Sequence, residues 1–272
     1  MTVLSLADNS EKKASMKLAA DNIHALNPAV VTALRELDPA PIRDLAVRCS
    51  QAGASYIDLN PGYLSAKQVD RMEFLVETVQ EAVSLPVILD SPNPRILERG
   101  LKACRDVPIL NAVWLEKEKL EAILPLAVEY HASVVLLLME DRSFSPRTTE
   151  EKLAIALELR EIALKAGVAS EDLIFDPILP NLSWDDAHSR IYHGIETVRL
   201  LSSGAVFQDC ARTMAGLSNL LSGGFGKHAK GIDSLCMTLL AGAGLEIILA
   251  NCTSRGLANT WSALSSILTP QR

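Results

Sequence analysis

The amino-acid sequence predicts an α/β protein built as a single-domain, closed (β/α)8 TIM barrel. Three observations predict it. Short apolar runs alternate with longer helical patterns over almost the whole chain, as repeated βα units around a parallel sheet require. Eight such units can be counted, and 272 residues with no shift in composition midway suit one such barrel. Several apolar runs end abruptly in Asp or Asn, at the strand ends where this architecture places its chemistry.

The strands are predicted at about residues 18–20, 56–59, 86–89, 108–113, 133–139, 173–175, 213–217 and 246–250. Residues 1–272 form one unit, with 1–16 read as a flexible N-terminal extension. After the third strand, "SPNPRILERGLKAC" offers Asn93 as the helix cap and Pro94 as the first helical residue, which leaves Asp90 with no capping task. In "WLEKEKLEAILPLAVEY", Leu115, Leu120, Ile123, Leu124 and Ala127 form one apolar stripe. Glu116, Lys117, Glu118, Lys119 and Glu121 are then read as a solvated face. "TTEEKLAIALELREIALKAG" opens with Thr and an acidic turn and stops at Gly167. Ser183 with Asp186 is read as a capping box for the helix after "FDPILPNL", so Asp176 is again not a cap. An open doubly wound sheet is the alternative, but "AADNIHALNP" lacks the glycines of a dinucleotide turn.

A net charge of -7 with interspersed signs disfavours nonspecific binding to nucleic acid or to anionic membranes. "MTVLSLADNSEKKASMK" holds no apolar stretch of secretory length, and no run of about 18 apolar residues occurs, so a cytoplasmic protein is expected. Cys49, Cys104, Cys210, Cys236 and Cys252 are far apart and without a C-x-x-C pair, which argues against a disulfide framework or a structural zinc site. The five histidines are scattered, and no bound metal is predicted.

The polar strand ends are Asp58 and Asn60 in "ASYIDLN", Asp90 in "PVILD", Asn111 in "VPILNAV", Asp176 in "DLIFDP" and Asn219 in "MAGLSN". Each alone is as well explained by loop preference, since βα loops favour these types. As a set they suggest one ligand, because polar groups at the ends of buried strands cost desolvation unless something bonds to them. A carboxylate accepts two parallel hydrogen bonds, and an Asn amide both donates and accepts. The complement is a flat heterocycle carrying an amino group, a ring N–H and a carbonyl, as a pterin does. After the seventh strand, "SNLLSGGFGKHAKG" supplies Lys227 and Lys230, either to a phosphate or within a loop that closes over the ligand. It lacks the spacing of a P-loop.

"DPAPIRDLAVRCSQAGASYIDLNPG", "PVILDSPNPRILERGLKAC", "ILNAVWLEKEKLEAILPLAVEY", "LIFDPILP" and "AGLSNL" occur in order across nearly the entire chain. In this the sequence resembles the methyltetrahydrofolate:corrinoid protein methyltransferases, a family that includes the folate domain of cobalamin-dependent methionine synthase and enzymes of acetogenic one-carbon metabolism and O-demethylation. The resemblance implies a pterin-binding TIM barrel that moves a methyl group between N5 of tetrahydrofolate and the cobalt of a corrinoid. It also implies a homodimer. No Asp-x-His-x-x-Gly motif for cobalamin is present, so the corrinoid is expected on a separate partner protein. Position by position, Asp90, Asn111 and Asp176 are similar to the groups that hold the pterin, with Ser218 beside them. Asp58 resembles a supporting carboxylate, Lys227 is carried as a ligand-binding candidate, and Asn219 resembles the catalytic residue facing N5. Where the family has Gly-Glu-Arg-Ile/Leu-Asn on its first strand, this chain has Ala20-Asp21-Asn22-Ile23-His24, and no Asn-Arg element follows Asn219.

Dihydropteroate synthase is the nearest rival. Its expected Asn-x-Thr-Pro-Asp-Ser-Phe, Gly-Glu-Ser-Thr-Arg-Pro and Ser-Arg-Lys elements are replaced here by "NIHALNP", "LNPGYLS" and "LSNLLS". A folate-binding barrel without chemistry is the alternative from another class.

Overall fold

The computed structural model of the chain describes residues 16–64, 68–140, 145–222 and 231–268. Eight strands, β1 (Lys17–His24), β2 (Tyr56–Asn60), β3 (Val87–Asp90), β4 (Ile109–Val113), β5 (Ser133–Leu137), β6 (Leu173–Asp176), β7 (Arg212–Gly216) and β8 (Ile247–Ala250), pair in sequence order into a closed parallel barrel. Around it run α1 (Pro28–Glu36), α2 (Ala40–Gln51), α3 (Asp70–Ala82), α4 (Pro94–Ala103), α5 (Lys117–Glu129), α6 (Thr149–Lys165), α7 (Ala187–Ser202), the single turn α8 (Ser218–Leu221), α9 (Ile232–Ala243) and α10 (Arg255–Leu268). The predicted TIM barrel is present. No helix among the described residues is long and apolar enough to cross a membrane.

Strand periodicity sorts the core into two layers. Leu18, Ile57, Leu59, Leu89, Leu110, Val134, Phe175 and Ile248 face outward and join the apolar stripes of the helices in one continuous cluster. Ala19, Ile88, Ile109, Val135, Ile174, Met214 and Ile247 face inward and plug the barrel axis. At its N-terminal mouth the barrel is stapled by polar groups. Arg212 forks onto Glu246 of the loop before β8 at 3.1 to 3.2 Å, and Lys17 lies 3.5 Å from the same carboxylate.

Side-chain caps legible in the sequence set several helix starts. Asn93 Oδ1 accepts from Arg95 N at 3.0 Å, with Pro94 opening α4. Thr148 and Glu151 close a reciprocal capping box on α6, and Gly167 just beyond its end has φ +98°.

Four expectations are corrected. Strand β1 runs on to His24 rather than stopping at Ala20, with a register shift between Ala20 and Ile23. Polar residues past Ala20 hid this extension, because they sit inside the barrel mouth. Ser183 does not cap α7: Asn181 Oδ1 takes its N–H at 2.9 Å, and the Asp186 carboxylate is held instead by Arg190 at 2.8 Å. Lys119 is not on a solvated face; it is buried, donates to the Pro92 carbonyl and lies 5.4 Å from the Trp114 ring. Asn219 does not end a strand but sits in the turn α8 directly after β7.

Candidate functional site

The inward phase of the strands carries straight into the polar residues. Two residues beyond the inward Ala19, Tyr56, Ile88, Ile109 and Ile174 come Asp21, Asp58, Asp90, Asn111 and Asp176, all aimed into the C-terminal mouth. Asn60 continues the series on β2. On β7 the corresponding position after Met214 is Gly216, which leaves room at that point of the ring. Register brings neighbours level: Asp90 pairs with Asn111, and Leu137 of β5 with Asp176. The expected strand-end residues Asp58, Asp90, Asn111 and Asp176 therefore come together at one mouth.

Hydrogen bonds orient this ring. Asn60 Nδ2 donates to Asp90 Oδ2 at 2.6 Å, while Asn60 Oδ1 accepts from Gly62 N at 2.9 Å. Gly62 has φ +73°, and a Cβ there would stand 2.5 Å from Ala25 Cβ, so only glycine lets the β2 loop close on the β1 loop. The Asn111 amide reaches Asp58. Asp176 Oδ1 accepts from Ile178 N at 2.7 Å. Asp58 is 2% exposed, and its Oδ1 has no hydrogen-bond partner among the described residues.

Burial sets the proton affinities. It pushes Asp90 up to about 6 against the opposing Asn60 bond, and Asp176 up to about 6 against the Ile178 N–H and the charge of Lys152. Asp58 is driven well above the usual carboxylate range by burial, reinforced by the charges of Asp90 and Asp21 and opposed by the Asn111 amide. Asp21 is raised by burial, opposed by a hydrogen bond from Ser218 and by His24. At neutral pH the mouth thus offers ionised acceptors at Asp90 and Asp176, with Asp58 beside them raised well above the usual carboxylate range.

The model of the pterin binding enzyme family matches residues 29–249. This chain belongs to that family. Among characterised relatives of this pterin binding barrel, it is 29% identical to the methylcorrinoid:tetrahydrofolate methyltransferase of Eubacterium limosum, over 93% of this chain and 91% of that one. It is 26% identical to the methionine synthase of Mycobacterium leprae over 66% of this chain, a stretch that spans only 15% of that protein. Among solved structures, a dihydropteroate synthase of Xanthomonas albilineans superposes with a TM-score of 0.71 at 16% identity, over 95% of this chain and 94% of that one. A second, from Vibrio fischeri, gives 0.65 at 18% identity, with 94% of each chain covered. At such identities these two establish the shared fold.

Ser218 and Asn219 sit on the turn after β7, with Ser218 within reach of Asp21. Both side chains are exposed, and Asn219 Nδ2 lies 3.8 Å from where a Cβ on Gly216 would be, so the amide folds over the end of β7. The turn is braced from the β6 loop, where Asn181 Nδ2 donates to the Ser222 carbonyl at 2.6 Å and Leu182 N to the Leu220 carbonyl at 3.1 Å. Lys227, with its glycine-rich segment, lies outside the described residues.

Asp21 in this pterin-family mouth and Lys152 behind it were not singled out as site residues by sequence reasoning, and the bracing role of Asn60 was not foreseen. Asp21 lies beyond the predicted first strand; the phase from Ala19 was the signal that could have found it. Asn60 was noticed as a strand end, but its role as a brace on Asp90 depends on the β2–β3 register. Lys152 falls at helical spacing on the stripe of Ile155, Ala156, Leu159 and Ala163, and that phase was the signal that could have found it; its charge led to its being passed over.

Proposed function

We propose that this barrel transfers a methyl group between the cobalt of a corrinoid, presented by a partner protein, and N5 of tetrahydrofolate. The observation that carries the reading is the gathering of the inward acceptors Asp90, Asn111 and Asp176 at one barrel mouth, with Asn219 on the turn after β7 at the same end of the barrel. The family membership and the methylcorrinoid:tetrahydrofolate methyltransferase relative support it.

The ring fits a pterin by its donor set. The ionised carboxylates of Asp90 and Asp176 take the amino group and ring N–H, the Asn111 amide meets a neighbouring edge, and the orphaned Asp58 Oδ1 retains bonding capacity beside them. The corrinoid supplies a cobalt centre able to give up or accept a methyl group. Docking across the strand ends, on the face where the mouth opens, is the arrangement that brings it to the folate. A homodimer, a cytoplasmic location and service in O-demethylation or acetogenic metabolism belong to the same reading.

The chain's own task is to manage charge at N5. When N5 gains the methyl group it loses a proton, and when it gives the methyl group up it must regain one, since a tertiary amine leaves poorly unless protonated or strongly hydrogen-bonded. Asn219 can present either its oxygen or its nitrogen to N5, and so serves both charge states. Asp21 is buried with its proton affinity raised and is bonded to Ser218, the neighbour of Asn219. On that burial and that contact with Ser218, we assign it the proton.

Single-turnover transfer from a methylated corrinoid protein to tetrahydrofolate tests the reading. Formation of N5-methyltetrahydrofolate is expected. Tight folate binding with no transfer to or from any corrinoid protein would leave a binding barrel; formation of dihydropteroate from a pterin diphosphate and p-aminobenzoate would favour the synthase rival.

A further inference from the structure

Lys152 is fully buried, 1% exposed, while most other charged groups among the described residues reach water. A buried ammonium is costly unless it is bonded and compensated. Its Nζ crosses from α6 to the end of β6 and donates to the Pro177 carbonyl at 2.6 Å, one residue past Asp176. On the other side of that peptide, Asp176 Oδ1 takes the Ile178 N–H at 2.7 Å, and Ile178 is held at φ +57°, a conformation that β-branched residues seldom adopt. Two side chains thus clamp three consecutive residues, the ammonium from behind and the carboxylate from the mouth.

We propose that Lys152 is a positioning residue for ligand capture, fixing the loop after β6 and holding the Asp176 carboxylate ionised and correctly aimed without itself entering the mouth. The proposal rests on the pterin reading of Asp176 and deepens it.

Among the described residues, the charges that act on Lys152 can be named. Asp176 of β6 favours its ammonium form, Arg190 of α7 disfavours it, and Glu151 of its own helix adds a smaller favourable effect. Arg190 is otherwise committed, to Asp186 at 2.8 Å and the Ser145 carbonyl at 2.7 Å. Burial brings Lys152 down to about 8, while Asp176 stands at about 6. Both are charged together between about pH 6 and 8, where a pterin would need an ionised acceptor. A lysine kept only to fill space would be better replaced by an apolar side chain of similar length.

The test uses Lys152→Met, which keeps length and packing, and Lys152→Arg, which keeps charge. Carbon-13 NMR of labelled aspartate, assigned with Asp176→Asn, follows the Asp176 titration in the ligand-free protein, and calorimetry follows tetrahydrofolate affinity from pH 5 to 9. In Lys152→Met the Asp176 midpoint is expected to rise by about one unit or more. For a one-unit rise, tetrahydrofolate affinity should fall about twofold at pH 7 and nearly tenfold at pH 5, with the gap closing by pH 9 and Lys152→Arg largely restored. An unmoved Asp176 midpoint, or an affinity loss equal at every pH, would overturn the proposal and leave Lys152 a plain staple. Should Lys152→Met not fold, the reciprocal measurement decides: in Asp176→Asn the Lys152 midpoint, read on its labelled ε-carbon, must fall below about 8. No change there would overturn it equally. Wild-type protein that binds no folate would strike at the proposed function, while the two titrations would still decide the role of Lys152.

Discussion

The Asn60 amide nitrogen lies 2.6 Å from Asp90 Oδ2, so the end of β2 holds the carboxylate that ends β3. That bond opposes burial and keeps Asp90 at about 6. Asn60→Ala should therefore raise the Asp90 pKa and move the acid limb of tetrahydrofolate binding to higher pH. The sign follows from the ligand's demand for an ionised acceptor, which is lost when pH drops through the folded-state pKa. Calorimetry should show a larger loss at pH 6 than at pH 8; an equal loss at both would mean that Asn60 acts on packing alone.

Asp90→Ala, Asn111→Ala and Asp176→Ala should each weaken tetrahydrofolate binding by about 1 to 3 kcal/mol, because each leaves a ligand donor or acceptor desolvated without a partner. At about 1.4 kcal/mol per factor of ten, that is roughly five- to 150-fold in Kd. Circular dichroism establishes that each variant is folded. Unchanged affinity in all three would remove the pterin from this mouth.

Asp58 predicts a stability cost that grows with pH. Its folded-state pKa is raised well above the unfolded value of about 3.9. The native protein therefore holds that proton when the unfolded chain has lost it, and stability falls as pH rises through the interval between the two values. Asp58→Asn removes the titration while keeping shape and the contact with Asn111. The variant should unfold at higher urea concentration than wild type at pH 8, with the difference gone by about pH 3. A constant difference across pH would show that Asp58 is not the titrating group.

Much of this was legible in the sequence. Asp90 stood out because Asn93 and Pro94 already start the next helix, and Asp176 because Pro177 follows it and α7 begins only at Ala187. What decided both was local: a cap, a proline and a two-residue period. What stayed hidden needs the closed sheet. Asp21 joins the ring only because β1 continues past Ala20 through a register shift, and that depends on pairing with β2. Lys152 and Lys119 lie in phase with the apolar stripes of α6 and α5, but a charged side chain reads as solvent-facing until the helix's seating against the barrel shows it buried. Asn219 was read as ending a strand but lies in a single turn of four residues, which leaves no periodic trace.

Asp21→Asn should slow methyl transfer while leaving tetrahydrofolate affinity within about threefold of wild type, a difference of roughly 0.6 kcal/mol. The wild-type rate should depend on pH through the raised pKa of Asp21, and that limb should vanish from the single-turnover profile of the variant. Retention of the limb would send the proton to solvent instead. Loss of affinity with an unchanged limiting rate would make Asp21 a binding group.

Asn219 makes the sharpest demand on the mechanism. Its side chain is exposed over the end of β7, where Gly216 leaves space, so it can turn without disturbing the core. An amide in that position donates to a neutral N5 and accepts from a protonated one, whereas an aspartate would add a fixed charge and alanine would add nothing. The interaction strengthens as charge develops at N5, so its removal should be felt in the transition state more than in the bound ground state. Asn219→Ala is expected to lower the single-turnover rate by about 10²-fold or more, the size of loss seen when one aimed hydrogen-bonding group is removed. Folate affinity should fall by about tenfold at most, one neutral hydrogen bond's worth. Asn219→Asp separates charge from geometry: it should favour the protonated state of N5, shifting the pH profile upward instead of abolishing transfer. Turnover of Asn219→Ala at the wild-type rate would remove Asn219 from the chemistry, even with the pterin held by Asp90, Asn111 and Asp176 as proposed.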